Sequence, residues 1–348
     1  MPEPAPRPAA TYREAGVDRE AAARAKRSLF ELVRQTAGPH VLSEPGGFGG
    51  LFRVPPGFRS PVLVASADGV GTKLKVAIRA GRRDTVGQDL VNHCVNDILV
   101  EGARPLFFLD YIGLGKLAED VVHELVVGVA AACGANGCAL LGGETAELPD
   151  LYAPGEFDLA GFIVGVVEED GRPGAARVQA RDALIGLASD GFHTNGYTLL
   201  RRILFDQLGL GVDDVFPDLA ARVGEVLLRV HRSYVRPLLP LLAAGRIHAL
   251  AHITGGGIEE NLARVIPAGV EARVDLQSWD VPPEFLAVMR HGRVPREEMY
   301  RTFNMGVGMI LVVAPESVDE ILVALRRHGE SAWHLGEARP GATRVLLV

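Results

Sequence analysis

Apolar positions along this chain fall into two periods. Short apolar runs at 61–66, 106–112, 138–141, 159–167, 183–188, 248–253 and 305–313 have the length and density of buried strands. Between them lie segments in helical period at 18–36, 87–102, 117–133, 196–208, two stretches within 220–244, 258–266 and 317–328. Asp18 is placed to cap the first of these. The clearest is 87–102, where Leu90, Val91, Cys94, Val95, Ile98 and Leu99 share one face. Strand and helix patterns mix through both halves, so the expected class is α/β or α+β. The polar, turn-rich stretch 168–174 is the best candidate for a boundary. The expected organisation is a disordered Pro/Ala-rich segment 1–11, a first domain 12–170 and a second domain 171–348.

Composition narrows the partners. The 348 residues carry a net charge of −7 and no long basic run, which argues against nucleic acid. Gly is high, 41 residues, while aromatics are 6%, so tight backbone turns rather than an aromatic platform are expected to hold a ligand. Cys94, Cys133 and Cys138 sit in apolar runs at spacings that fit no zinc site, which points to free thiols in a reducing cytoplasm. The first residues lack the apolar core of a signal peptide, and no run is long enough to span a membrane.

Several segments carry chemistry. Asp68-Gly-Val-Gly-Thr-Lys73 follows an apolar strand and suits a metal–phosphate site; a tight turn with an exposed Lys reads equally well. The polar face of helix 87–102 carries Asp89, Asn92, His93, Asn96 and Asp97 with no Lys or Arg. Oxygen donors gathered without cations suit a hard cation, or else an ordinary wet helix face. Glu144 follows two glycines just beyond a strand, and Asp110 lies within Phe-Phe-Leu-Asp-Tyr. In the second half, Ser189-Asp-Gly-Phe-His-Thr-Asn-Gly196 and Ile253-Thr-Gly-Gly-Gly257 each open a helix, where backbone N–H groups favour anions. A Gly-x-Ser-x-Gly hydrolase motif and a Rossmann fingerprint are both missing, which disfavours a hydrolase and a dinucleotide oxidoreductase.

Taken in order, Tyr12–Asp18, Gly46-Gly-Phe-Gly-Gly-Leu-Phe52, Asp68–Lys73, Cys94-Val-Asn-Asp-Ile-Leu-Val-Glu-Gly-Ala-Arg-Pro105, Phe107–Tyr111, Gly142-Gly-Glu-Thr-Ala-Glu147, His252-Ile-Thr-Gly-Gly-Gly257 and Thr302-Phe-Asn-Met-Gly-Val-Gly308 resemble the phosphoribosylformylglycinamidine cyclo-ligases, or AIR synthetases, over residues 12–348. The resemblance implies a two-domain fold whose first domain forms a β-barrel across a homodimer. It implies ring closure of formylglycinamidine ribonucleotide with ATP and Mg²⁺, giving ADP and phosphate. On it, ATP is expected at Gly47, Gly49, Asp68, Thr72, Lys73, Asp97, Gly102, Gly143 and Glu144, with Asp68, Asp97 and Glu144 as the Mg²⁺ ligands. The substrate is expected at Ser189, Asp190, His193, Asn195, Gly255, Gly256 and Gly257, and Lys73, Asp97 and His193 as the catalytic groups. Ala67 stands where the family commonly has Thr, and Asp190 where it has Ser. Related selenophosphate synthetases need an early Cys, and hydrogenase-maturation relatives a C-terminal one; this chain has neither. Thiamine-monophosphate kinases lack the Glu-Thr-Ala-Glu and Thr-Phe-Asn segments.

Overall fold

The computed structural model describes residues 29–348. Residues 1–11 and the greater part of the helix expected over 18–36 therefore lie outside the described residues; the part within them, 29–36, is helical (α1). The first sheet has four strands, β1 (Pro61–Gly69), β2 (Arg104–Leu114), β3 (Ala139–Glu147) and β4 (Phe157–Glu168), in the order β1-β4-β2-β3. α2 (Lys73–Ala80) follows β1, and α3 (Asp84–Leu99) and α4 (Glu119–Ala135) pack over one face of this sheet. Its other face leaves Leu63 59% and Phe162 46% exposed.

α3 begins at Asp84, three residues before the expected Gly87, because Gly87 is not a helix boundary but a contact point. A side chain there would collide with the backbone of Leu125 and Val129, and one on Gly128 with that of Asp84, so paired glycines let α3 and α4 approach closely. β3 also runs further than its apolar residues suggested. Gly142–Glu147 is strand, not loop, because Leu109–Leu114 of β2 supplies a parallel partner for it. Backbone pairing overrides the low strand propensity of glycine and glutamate here.

The second sheet has six strands in the order β10-β7-β9-β5-β8-β6. They are β5 (Ala183–Ala188), β6 (Ala249–His252), β7 (Val270–Val274), β8 (Val307–Val313), β9 (Ala332–Pro340) and β10 (Arg344–Leu347). Its helices are α5 (Tyr197–Arg201), continued by a wider turn Arg202–Gln207, α6 (Val223–Leu227), α7 (Val235–Ala243), α8 (Gly257–Ala263), α9 (Pro283–Gly292), α10 (Arg296–Thr302) and α11 (Val318–Arg327). β7, α9 and α10 had no expected counterpart; β7 is only 5 residues long, too short for its period to stand out. One apolar core runs from α3 and α4 through to α7, α9 and α11, joining the two halves, while a smaller one lies over the second sheet's other face.

Candidate active site

The polar face of α3 is neither a wet face nor a simple cation site. It is the surface on which the second half docks. Asp89 and Asn96 are fully buried, and His93 is nearly so. The partner is the irregular segment between α6 and α7. Asp89 Oδ1 accepts from the His231 backbone N–H at 2.7 Å, and Asn92 Nδ2 donates to His231 O at 2.7 Å. Asn96 Nδ2 donates to Arg232 O at 2.8 Å, and its Oδ1 accepts from the Tyr234 N–H at 3.0 Å. Asn and Asp serve here because short polar side chains can satisfy a non-repetitive backbone that apolar residues could not.

Lys73 joins this interface, which corrects its expected place on the phosphates. Its side chain is 0% exposed, and its ammonium meets Asp89 Oδ2 at 2.8 Å, His193 O at 3.1 Å and Arg229 O at 2.7 Å. Burial pushes the Lys73 pKa down and the Asp89 pKa up, and each opposes the other's shift by stabilising its charge. Neighbouring Thr72 is exposed and pairs its hydroxyl with that of Thr198 at 2.9 Å. Gly102, with φ +80°, forms the turn from α3 into β2 against Pro173 and Val167; it belongs to neither cluster described below.

Asp68 and Asp97 do come together, through histidines. His93 Nε2 lies 2.8 Å from Asp68 Oδ2 and 3.7 Å from Asp97 Oδ2, and His252 Nδ1 lies 2.8 Å from Asp97 Oδ1. The bonds run on. His252 Nε2 is 3.0 Å from His231 Nε2, His231 Nδ1 is 3.3 Å from Thr194 Oγ1, and Thr194 Oγ1 is 2.8 Å from His93 Nδ1. The network assigns the tautomers. Burial holds the His252 pKa down and keeps the ring neutral, so it donates from Nδ1 to Asp97 and its Nε2 accepts from His231. His231 Nδ1 then accepts from Thr194, whose oxygen accepts from His93 Nδ1. His93 thus has a proton on each nitrogen and faces Asp68 as an imidazolium. Burial alone would lower the His93 pKa, but the Asp68 bond and the charges of Asp97, Asp68 and Asp89 carry it above 6.5. Burial likewise opposes the Asp68 shift, which His93 turns downward. Burial, with repulsion from neighbouring imidazoles and Lys73, holds His193 and His231 well below 6.5, so both are neutral.

The two loops expected to hold substrate meet at this network. His193, with φ +56°, stacks on His231 with ring centroids 3.9 Å apart, and its Nε2 accepts from the Asp190 N–H at 3.1 Å. Arg232 holds the Asp190 carboxylate at 2.7 and 3.0 Å. The Ser189 hydroxyl reaches Asn304 Oδ1 at 3.0 Å. Asn195 lies against Gly255, and Gly256 (φ +90°) and Gly257 (φ +64°) turn the chain into α8. Sequence reasoning missed His231, Arg229 and Arg232 and left His252 without a role. The signal was there: Arg229-Val-His-Arg-Ser-Tyr234 is a polar run between two helical stretches, too dense in hydrogen-bonding groups for a plain connection.

Glu144 is elsewhere, correcting its expected convergence with Asp68 and Asp97 within one chain. Asp68 pairs with Gly161, Gly161 with Asp110, and Asp110 with Gly143, so Glu144 lies next to a row that begins at Asp68. Three strand spacings of about 4.8 Å put it roughly 14 Å away. There it lines a cavity of about 910 Å³ with Gly47, Gly49, Gly143, Asp110 and Phe30. Gly143 is required because a side chain would collide with Asp110. Burial first, then the charge of Glu144, raises the Asp110 pKa from 3.8 to about 7. The folded chain therefore holds a proton that the unfolded chain has lost between those two values, and stability falls as pH rises from 3.8 to about 7. Asp110→Asn should raise thermal stability over the parent by up to ~4 kcal/mol at pH 8 and by little near pH 4. Melting curves at the two pH values check this; an equal gain at both would contradict it.

The chain as a whole has counterparts among known proteins. Residues 57–167 match the model of the AIR synthase related protein, N-terminal domain, and residues 179–347 that of its C-terminal domain. The chain is 51% identical over 334 residues to the phosphoribosylformylglycinamidine cyclo-ligase of Trichlorobacter lovleyi, covering 96% of each chain. The chain belongs to the phosphoribosylformylglycinamidine cyclo-ligase family. A cyclo-ligase of Pseudothermotoga lettingae is 48% identical over 97% of this chain and 99% of its own length. Solved structures at lower identity show the same fold. Thiamine-monophosphate kinase from Stenotrophomonas maltophilia has a TM-score of 0.70 at 19% identity, covering 92% of this chain and 95% of its own. The hydrogenase maturation protein HypE in complex with ATP has 0.67 at 20% identity, covering 96% and 93%.

Proposed function

We propose that this chain closes the imidazole ring of formylglycinamidine ribonucleotide with ATP, releasing ADP and phosphate in cytoplasmic purine biosynthesis. The observation that carries the reading is the meeting of Asp68 and Asp97 with the two substrate loops, through His93, His231 and His252, in a chain half identical to cyclo-ligases. Phosphorylating the amide oxygen turns it into a leaving group. The amidine nitrogen of the same molecule then attacks that carbon, phosphate departs, and the ring nitrogen sheds a proton. Phosphoryl transfer needs positioning and charge neutralisation rather than a protein nucleophile. The second step is intramolecular, where good orientation is worth effective molarities of roughly 10⁵–10⁸ M.

Asp68 and Asp97 fit Mg²⁺: their side chains are 40% and 27% exposed, so each keeps oxygen surface for a hard cation while a histidine fixes its rotamer. Bound there, Mg²⁺ would neutralise the triphosphate. Ser189, Asn195 and Gly255–Gly257 would hold the ribonucleotide, and Asp190, clamped by Arg232, sets the loop's position. Two separated groups of nucleotide residues point to a homodimer, in which a second copy covers the Leu63–Phe162 face and brings its own Glu144 cavity toward Asp68. Sedimentation should give a dimer at micromolar protein; a stable monomer counts against the assembly. Incubation with ATP, Mg²⁺ and the ribonucleotide should yield one ADP and one phosphate per ring closed, with slow ATP turnover otherwise. Equal ATP turnover without the ribonucleotide, or AMP and pyrophosphate as products, would overturn the reading.

A further inference from the structure

A second cavity, of about 470 Å³, opens where the two halves meet, between α3 and the end of α4 on one side and the start of α7 and end of α11 on the other. Its volume lies within the roughly 300–1,000 Å³ of small-molecule sites and exceeds what a bare phosphate fills. Its charge is one-sided. Arg236, Arg327 and His328 line it, and among the described residues neither arginine forms an ion pair or a side-chain hydrogen bond. The acid on its wall, Glu330, is already held by Arg232 at 2.8 Å. Arg236 also stands in the first turn of α7, a nine-residue helix with no acid in that turn. A cation at a helix N-terminus opposes the helix dipole, so Arg236 is not offset by its own helix, whereas Arg327 stands in the last turn of α11, where the dipole favours a cation.

The floor is polar and fixed. Ser233 Oγ donates to Asn136 Oδ1, Asn136 Nδ2 donates to Asn92 Oδ1 at 2.9 Å, and Asn92 Nδ2 donates to His231 O at 2.7 Å. This amide chain leads from the cavity to the histidine network, and Glu330 leads through Arg232 to Asp190. We propose that this cavity is a binding site for an organic phosphate monoester, separate from the catalytic centre: Arg236 and Arg327 take the phosphate, as planar guanidiniums take paired oxygens, and the Gln88 side chain lines the space left for the organic part. Because both halves line it, the ligand ties them together.

Equilibrium dialysis of AMP and ribose 5-phosphate against the full chain tests this, with Arg236→Gln, Arg327→Gln and, as a change in the catalytic centre, Asp97→Asn. The expected result is saturable binding that raises the melting temperature, weakens about tenfold or more in each arginine variant, and survives in Asp97→Asn. Ring closure with low ligand should be unchanged in both arginine variants, and Arg236→Lys should keep part of the affinity. AMP binding that either arginine change leaves intact, or that only Asp97→Asn abolishes, overturns the proposal. Inorganic phosphate binding as tightly as either ester would overturn the assignment of an ester.

Discussion

Asp89→Ala should destabilise the protein by roughly 3–5 kcal/mol, the effect of stranding one member of a buried ion pair. The change leaves the fully buried Lys73 ammonium without its 2.8 Å partner and the His231 N–H without its acceptor. Both sit where the halves join, so the loss should appear as a lower melting temperature and a shallower, less cooperative transition. Replacing both partners, Lys73→Met with Asp89→Leu, should recover much of the stability, since neither charge is then buried. Recovery will be incomplete because His231 N, His193 O and Arg229 O lose partners. Thermal melts of parent, single and double variants decide it. If Asp89→Ala melts within ~0.5 kcal/mol of the parent, as an exposed helix residue would, the interface reading fails.

The sequence was most legible where period and burial agree. β1, β5, β8 and α11 lie close to where the apolar pattern put them, because β1 and α11 turn one face to the larger core and β5 and β8 are buried on both faces between the two cores. Asp68 and Asp97, which the fold brings to one histidine network, stood out in the sequence because carboxylates at a strand end and on a cation-free helix face are unusual. The burial of Lys73 and Asp89 was not legible, because neither a turn motif nor a helical period shows whether water or another part of the chain covers a polar residue. The docking segment 228–234 has no period at all, since its backbone bonds to α3 side chains rather than to a ladder. That Glu144 lies apart from Asp68 and Asp97 within one chain could not be read, because spacing along the chain carries no strand order, and β3 lies at the edge of the sheet opposite β1.

Asp97→Asn should cut ring closure by about 10²-fold or more while the fold survives. The amide is isosteric, so its oxygen can still accept from His252 Nδ1, now at 2.8 Å, and its neighbour Ser66 remains at 3.4 Å. The stability change should therefore stay within about 1 kcal/mol. What disappears is charge. On the proposed reading the change removes a ligand from Mg²⁺, which raises the phosphoryl-transfer barrier, and each ~1.4 kcal/mol is tenfold in rate. The same loss should show without turnover. In the parent, Mg-ATP at 100 times its Kd stabilises the fold by about 2.7 kcal/mol, and most of that should vanish in the variant. A control is a carboxylate near α3 that is not buried as Asp89 is. Glu101→Gln is suitable: this exposed carboxylate lies just beyond the end of α3. It should keep parental activity and the full Mg-ATP shift. If Asp97→Asn behaves like Glu101→Gln, active within a few-fold and equally stabilised by Mg-ATP, then Asp97 does no more than orient His252, and the cation must be held by other groups.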